Sequence, residues 1–279
     1  MEKPTSTCSF FFLCIIFLVL AFCRFPGAKA QEVEDEREFS YEVGSENGPD
    51  RWGALHPEWA LCNNGTMQSP IDLTNERVKV VPALGRLKRS YKPAHARLRN
   101  RGHDIMLEWT EDAGSIHIGG TKYYLKQCHW HSPSEHTVNG RRFEMEVHLV
   151  HQSSENKTAV LGIMYRRGRP DTFLSELMEL IDDVAKTRDA ERDVGVVNPW
   201  HIKLGSRKYY RYLGSLTTPP CSEGVLWTIT RKVRTVSMEQ LRLLRDAVHD
   251  DAERNARPEQ PISDRMIQFY RPDTEVPRR

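Results

Sequence analysis

The 279-residue sequence lacks an excess of either charge, with 40 Lys and Arg against 38 Asp and Glu. That balance excludes a polybasic reader of nucleic acid, whose affinity rests on clustered cations. A disordered chain is excluded as well, because 39% of the residues are hydrophobic. There is no internal repeat and no low-complexity linker, so nothing argues for more than one domain. The one long apolar run, residues 10–23, holds 14 residues, short of the roughly 20 needed to cross a bilayer. A permanent membrane anchor is therefore not expected.

What that run does resemble is the core of a secretory signal peptide. Lys3 precedes it, and Ala28-Lys29-Ala30 follows with the small-x-small form of a cleavage site, so residues 1–30 read as a signal. Lys3, Arg24 and Lys29 leave with it against Glu2, and 37 side chains of each sign remain. Three of the six cysteines leave too. Of the remainder, Cys128 lies in an apolar-alternating stretch, whereas Cys62 and Cys221 lie in loops beside Asn64 and Pro220. The expected disulfide is Cys62 with Cys221, leaving Cys128 as a buried, unreactive thiol. Asn64-Gly65-Thr66 and Asn156-Lys157-Thr158 are glycan-acceptor sequons in polar stretches, which suits an oxidising lumen.

Along the chain, residues 31–40 read as a flexible acidic arm. Strand-like stretches follow at Arg97-Leu98, 104–109, 115–118, 122–130, 143–151, 158–165 and 225–233. Two stretches have helical spacing instead. Phe173, Leu174, Leu177, Leu180, Ile181 and Val184 recur behind Pro170-Asp171, and Ser237 with Gln240 forms a capping box before Leu241, Leu244 and Val248. The expected architecture is a single, mainly β domain with short peripheral helices.

The chemistry concentrates between Gln127 and His151. In a strand, Gln127, His129 and His131 share one face, with Cys128 and Trp130 on the other. Glu144, Glu146, His148 and Val150 share a face of the next strand, and between the two stands Asn139-Gly140, a strong hairpin signal. If those two residues are the turn, Val138 pairs with Arg141, and counting outward sets His131 opposite His148, with Pro133 a place for a bulge. Three ring nitrogens on one face can then reach the roughly 2.0–2.1 Å bonds of a tetrahedral zinc with a fourth position open. Gln127 and Glu146 are placed to accept the outward ring N–H groups. Glu135 shares the parity of His129 and His131 and could itself be a ligand, a pattern that also resembles the cupin motif for manganese or iron.

Larger segments decide between these. Gln68-Ser69-Pro70-Ile71-Asp72, residues 127–131, Ser134-Glu135-His136-Thr137-Val138, Glu146-Val147-His148-Leu149-Val150-His151 and Ser215-Leu216-Thr217-Thr218-Pro219-Pro220-Cys221 together resemble an alpha-class carbonic anhydrase. The resemblance implies one domain over residues 41–271, with a tail at 272–279, built on a large twisted, mostly antiparallel sheet of about ten strands. It implies Zn2+ on His129, His131 and His148, and reversible hydration of carbon dioxide to bicarbonate and a proton with zinc hydroxide as nucleophile. Thr217 and Glu135 would orient that hydroxide. Val150, Val160, Leu216, Thr218 and Trp227 would line the substrate pocket, and Asn255 would support the middle ligand through its backbone.

His103 matches the family's proton shuttle, and an imidazole suits that task because it ordinarily titrates near neutrality. Tyr41 matches a residue that orders the bridging water. The short interval from His131 to Glu135 resembles plant and bacterial branches, and plant members enter the secretory route, so extracellular and chloroplast-stroma destinations are both implied. The expected partners are carbon dioxide and bicarbonate, with no nucleic acid, in a monomer or homodimer. A catalytically weak relative acting as a binding or storage protein is the alternative, although such relatives commonly lose a ligand histidine and this chain keeps all three.

Overall fold

Residues 38–248 and 254–272 are described by a computed structural model. The expected signal peptide, most of the acidic arm and the tail beyond Pro272 lie outside them. Alternation builds the sheet: Ala94–Asn100 buries Ala94, Ala96, Leu98 and Asn100 while turning His95, Arg97 and Arg99 outward. The central strands Thr121–His131, Met145–Ser153 and Thr158–Arg167 are instead buried on both faces over most of their length.

Thirteen strands form one sheet. Its main path runs Val78–Val80, Ile267–Tyr270, Tyr209–Ser215, Glu223–Thr230, Thr158–Arg167, Met145–Ser153, Thr121–His131, Ile105–Trp109, Ala94–Asn100 and Glu191–Val197. Pairing is antiparallel except where Val78–Val80 meets Ile267–Tyr270 and where Thr158–Arg167 meets Glu223–Thr230 and Arg234–Val236. An open sheet of this kind is not the double-sheet jelly roll of a cupin, so the manganese or iron alternative loses its fold.

Each face of the sheet carries a core. One gathers Cys128, Trp130, Val147, Leu149, Leu161 and Ile163 beneath the helices Thr172–Ala185 and Met238–Asp246. The first helix starts where the Asp171 carboxylate accepts from the backbone N–H groups of Phe173 and Leu174, and the second starts at the Ser237–Gln240 capping box. The opposite core joins Val160, Tyr212, Leu216, Val225, Trp227 and Ile229. A third cluster holds Phe39, Tyr41, Trp52 and Trp59 around Cys62 and Cys221, which form a disulfide. Phe39 therefore belongs to the fold, although it falls within the stretch expected to be a flexible arm.

The hairpin expectation holds at its tip and fails further out. Asn139 and Gly140 both have positive φ, 50° and 73°, and Val138 pairs with Arg141. Beyond that, His148 stands opposite His129, and His131 stands opposite Glu146, so the pairing of His131 with His148 is corrected by two residues. The cause is an outward loop: residues 132–136 on one side face only 143–145 on the other. Within that loop the N–H groups of Glu135 and His136 donate to Glu146 Oε2, at 3.0 and 2.9 Å, in place of ladder partners. A shift of two preserves the side-chain face, so the three histidines still converge.

Candidate metal centre

His129, His131 and His148 are all buried, and ring nitrogens from the three lie within 4.8 Å of one another. Their outward nitrogens meet acceptors. His129 Nδ1 lies 2.8 Å from Gln127 Oε1, His131 Nδ1 lies 2.6 Å from the Asn255 carbonyl, and His148 Nε2 lies 3.0 Å from Glu146 Oε1. The hydrogen bonds at His129 and His131 select the tautomers that turn His129 Nε2 and His131 Nε2 inward as lone-pair donors, while the Glu146 carboxylate lies close to His148 Nε2 without forming a hydrogen bond to it. His131 Nε2 has no hydrogen-bond partner although it is buried, as a metal-ligating nitrogen would be before its ion arrives. Burial lowers the pKa of His129 well below its ordinary value, and burial lowers that of His148 despite the opposing charge of Glu146. Neutral imidazoles of this kind fit a divalent cation.

Glu135 faces the same space from beside the ligands, with Oε2 3.7 Å from His131 Nε2 and 3.9 Å from His148 Nδ1. Its other oxygen accepts from the Arg257 N–H at 2.9 Å, and Oε2 has no hydrogen-bond partner. Thr217 is buried on the segment that follows Tyr209–Ser215, and no hydrogen bond to Glu135 is formed among the described residues. Val160, Leu216 and Trp227 share one core cluster with Val150 at its margin, and the Trp227 ring meets His148 edge-on at 4.8 Å. Thr218 is buried beside Leu216 and Thr217 in sequence. Asn255 also clips neighbouring backbone: its Nδ2 donates to His103 O and Trp130 O, and its Oδ1 accepts from Ser132 N.

His103 is buried, its ring 4.5 Å from Phe39 and edge-on to Tyr41 at 5.6 Å. A buried Arg101–Asp104 ion pair sits beside it, with Arg101 Nε donating to Asp104 Oδ1 at 2.8 Å. Asn64 and Asn156 are exposed, and Cys128 is a free, buried thiol whose pKa is raised by burial.

Sequence reasoning gave no role to His136, Tyr212, Ser69 or Arg257. Glu146 Oε1 faces His136 Nδ1 at 2.9 Å, His136 Nε2 lies 2.6 Å from the Tyr212 hydroxyl, and that hydroxyl lies 2.8 Å from Ser69 Oγ. A chain of buried polar groups thus runs outward from the His148 ring. Burial opposes the Glu146 charge, but His136 and His148 more than offset it and hold its pKa well below the ordinary range. Gly162 leaves room for this carboxylate, since a Cβ there would lie 2.8 Å from Glu146 Oε1. The Arg257 guanidinium donates to Gln68 Oε1, Ser69 O and Cys62 O, all at 2.8 Å.

Residues 47–271 match the model of the eukaryotic-type carbonic anhydrase family. The chain belongs to that family. It is 53% identical over 269 residues to alpha carbonic anhydrase 7 of Arabidopsis thaliana, covering 96% of this chain and 98% of that protein. The crystal structure of dioscorin complexed with ascorbate superposes with a TM-score of 0.81 at 47% identity, covering 83% of this chain and 97% of that one. The alpha-carbonic anhydrase of Thermovibrio ammonificans in complex with sulfanilamide gives a TM-score of 0.76 at 34% identity, covering 82% and 98%. The mainly β fold is shared with these two structures, and the three buried histidines are this chain's candidate for the family's metal.

Proposed function

We propose that this carbonic anhydrase family member holds zinc on His129, His131 and His148 and reversibly hydrates carbon dioxide to bicarbonate and a proton. The observation that carries the reading is the convergence of three buried imidazoles, each with its outward nitrogen facing an acceptor. Bound there, zinc would supply Lewis-acid chemistry, lowering the pKa of a coordinated water to about 7 as it does in carbonic anhydrases generally.

The chain's own groups do the rest. Neutral His129 and His148 offer lone pairs without proton competition and leave the ion its full charge. Val150, Val160, Leu216 and Trp227 form an apolar wall that admits an uncharged substrate and excludes bulk water. Glu135, anchored through Oε1 by Arg257, keeps Oε2 for the Thr217 hydroxyl, which in turn orients the attacking oxygen. The Thr217 backbone N–H stabilises the oxygen on which charge develops. His103, set against Tyr41, takes up the released proton and passes it to buffer.

The Cys62–Cys221 disulfide supports an oxidising compartment, and we place the protein on the secretory route with glycans at the exposed Asn64 and Asn156. Among the described residues no helix is long and apolar enough to cross a membrane. Stopped-flow carbon dioxide hydration, run with the zinc content measured on the same sample, tests the activity. Hydration that rises with zinc occupancy to one ion per chain supports it, and a zinc-loaded chain that hydrates no faster than buffer overturns it.

A further inference from the structure

A second site stands well away from the three imidazoles. Tyr209 pairs with Thr230 at one end of an antiparallel strand pair whose other end, Ser215 opposite Glu223, leads into the Thr217 segment. About 20 Å of strand separates the two ends. At the Tyr209 end opens a cleft of about 470 Å3 lined by Arg86, Arg89, Lys203 and Arg207, with Trp200 and Tyr209 among them and no carboxylate in the lining. In a chain with 40 basic and 38 acidic residues that is a local imbalance.

None of the four cations has an ion-pair partner among the described residues. Arg89 is fixed rather than free-swinging, its guanidinium carbon 4.5 Å from the centre of the Trp200 ring and 5.4 Å from that of Tyr91. Trp200 is itself pinned, donating from Nε1 to Tyr91 O at 2.7 Å, yet it remains 39% exposed.

The arrangement selects its ligand by elimination. Arg86, Lys203 and Arg207 are exposed, and a single exposed cation gains little from a single small anion. Several together gain from a chain of anions, because each neutralised pair releases counterions. Nucleic acid is such a chain, but the Cys62–Cys221 disulfide marks an oxidising compartment, away from cytosolic and nuclear nucleic acid. A pinned, half-open indole in the lining suits the flat apolar face of a sugar ring, and Ser206 lies in the same lining.

We infer that this cleft binds a carboxylated polysaccharide, a polyuronate, with a sugar ring against Trp200 and successive carboxylates on Arg86, Arg89, Lys203 and Arg207. Arg pairs with carboxylates through two parallel hydrogen bonds, which gives the cleft orientation as well as attraction. The binding does not depend on the metal centre.

The test is binding of the full chain to de-esterified polygalacturonate at low salt, beside fully methyl-esterified polygalacturonate and duplex DNA. The expected result is retention on the de-esterified polymer alone, weakened by added salt. The triple variant R86S/K203S/R207S should bind about tenfold or more weakly with a shallower salt dependence. A charge-matched variant of exposed cations elsewhere, K79S/K126S/R141S, should bind as the parent does. Absence of binding, equal binding to the esterified polymer, tighter binding to DNA, or undiminished binding by the cleft variant overturns the inference. The esterified-polymer and DNA arms use the unsubstituted chain, so they decide even if a variant fails to fold.

Discussion

His129 and His148 stand directly opposite each other on neighbouring antiparallel strands. Directly opposed residues share a face, so one backbone pairing fixes two of the three imidazoles, and His131 joins them one pleat further along. The metal centre is thus held by the sheet itself, and its quality depends on the groups that aim each ring.

Gln127 is the aiming group nearest in sequence to its ring. It shares a strand with His129, and its Oε1 lies 2.8 Å from His129 Nδ1. Gln127→Ala should weaken zinc binding by about 10–100-fold while costing the metal-free chain less stability than Glu146→Ala does. Competition with a chromophoric chelator measures the first quantity and a melting curve the second.

Glu146 should behave differently. Its carboxylate accepts from Glu135 N and His136 N and faces both the His136 and the His148 rings. Glu146→Ala leaves several buried donors unmatched and should cost about 3–5 kcal/mol of stability even without metal. Urea unfolding of the metal-free variant checks this, and a loss below about 1 kcal/mol would show that the carboxylate holds only the metal ligand.

How much of this is legible in the sequence depends on the range of the contacts. The alternation at residues 127–131 and the Asn139-Gly140 turn place three histidines on one face, because both signals are local. The register error arose because the extra residues at 132–136 are held by side-chain acceptance at Glu146, which no periodicity displays. Tyr212 and Ser69 were out of reach for a related reason: each meets its partner across a long sequence separation, 76 residues from His136 to Tyr212 and 143 from Ser69 to Tyr212. The Glu191–Val197 strand was hidden by composition, since its charged and glycine-interrupted run lies at the sheet edge and is largely exposed. The Tyr209–Ser215 strand, by contrast, is buried through nearly all its length, yet the Tyr-Tyr-Arg-Tyr run offers no clean alternation.

His103→Ala should reduce carbon dioxide hydration by about 100-fold or more in weak buffer and much less in concentrated imidazole buffer. The ring touches Phe39 and Tyr41 and is not among the metal-ligand candidates, so zinc affinity should not move. An unchanged rate in weak buffer would assign proton release to another route.

His151 gives the fold a pH dependence of its own. It is buried, with Nε2 2.7 Å from the Tyr91 hydroxyl and Nδ1 3.3 Å from Ala159 O, and burial lowers its pKa to about 3. Because the unfolded chain binds the proton near pH 6.5, the stability it contributes is present above that pH and is lost as pH falls toward 3. The loss should approach about 1.4 kcal/mol per pH unit across that window. Urea midpoints between pH 7 and 5 should fall more steeply for the unsubstituted chain than for His151→Gln, and parallel slopes would contradict the assignment.

Zinc-edge X-ray absorption on the zinc-loaded chain tests the metal centre most directly. Three imidazole nitrogens at roughly 2.0–2.1 Å and one oxygen ligand are predicted, with one imidazole lost in His148→Ala. A spectrum with fewer than three imidazoles, or one unchanged by that substitution, would contradict it.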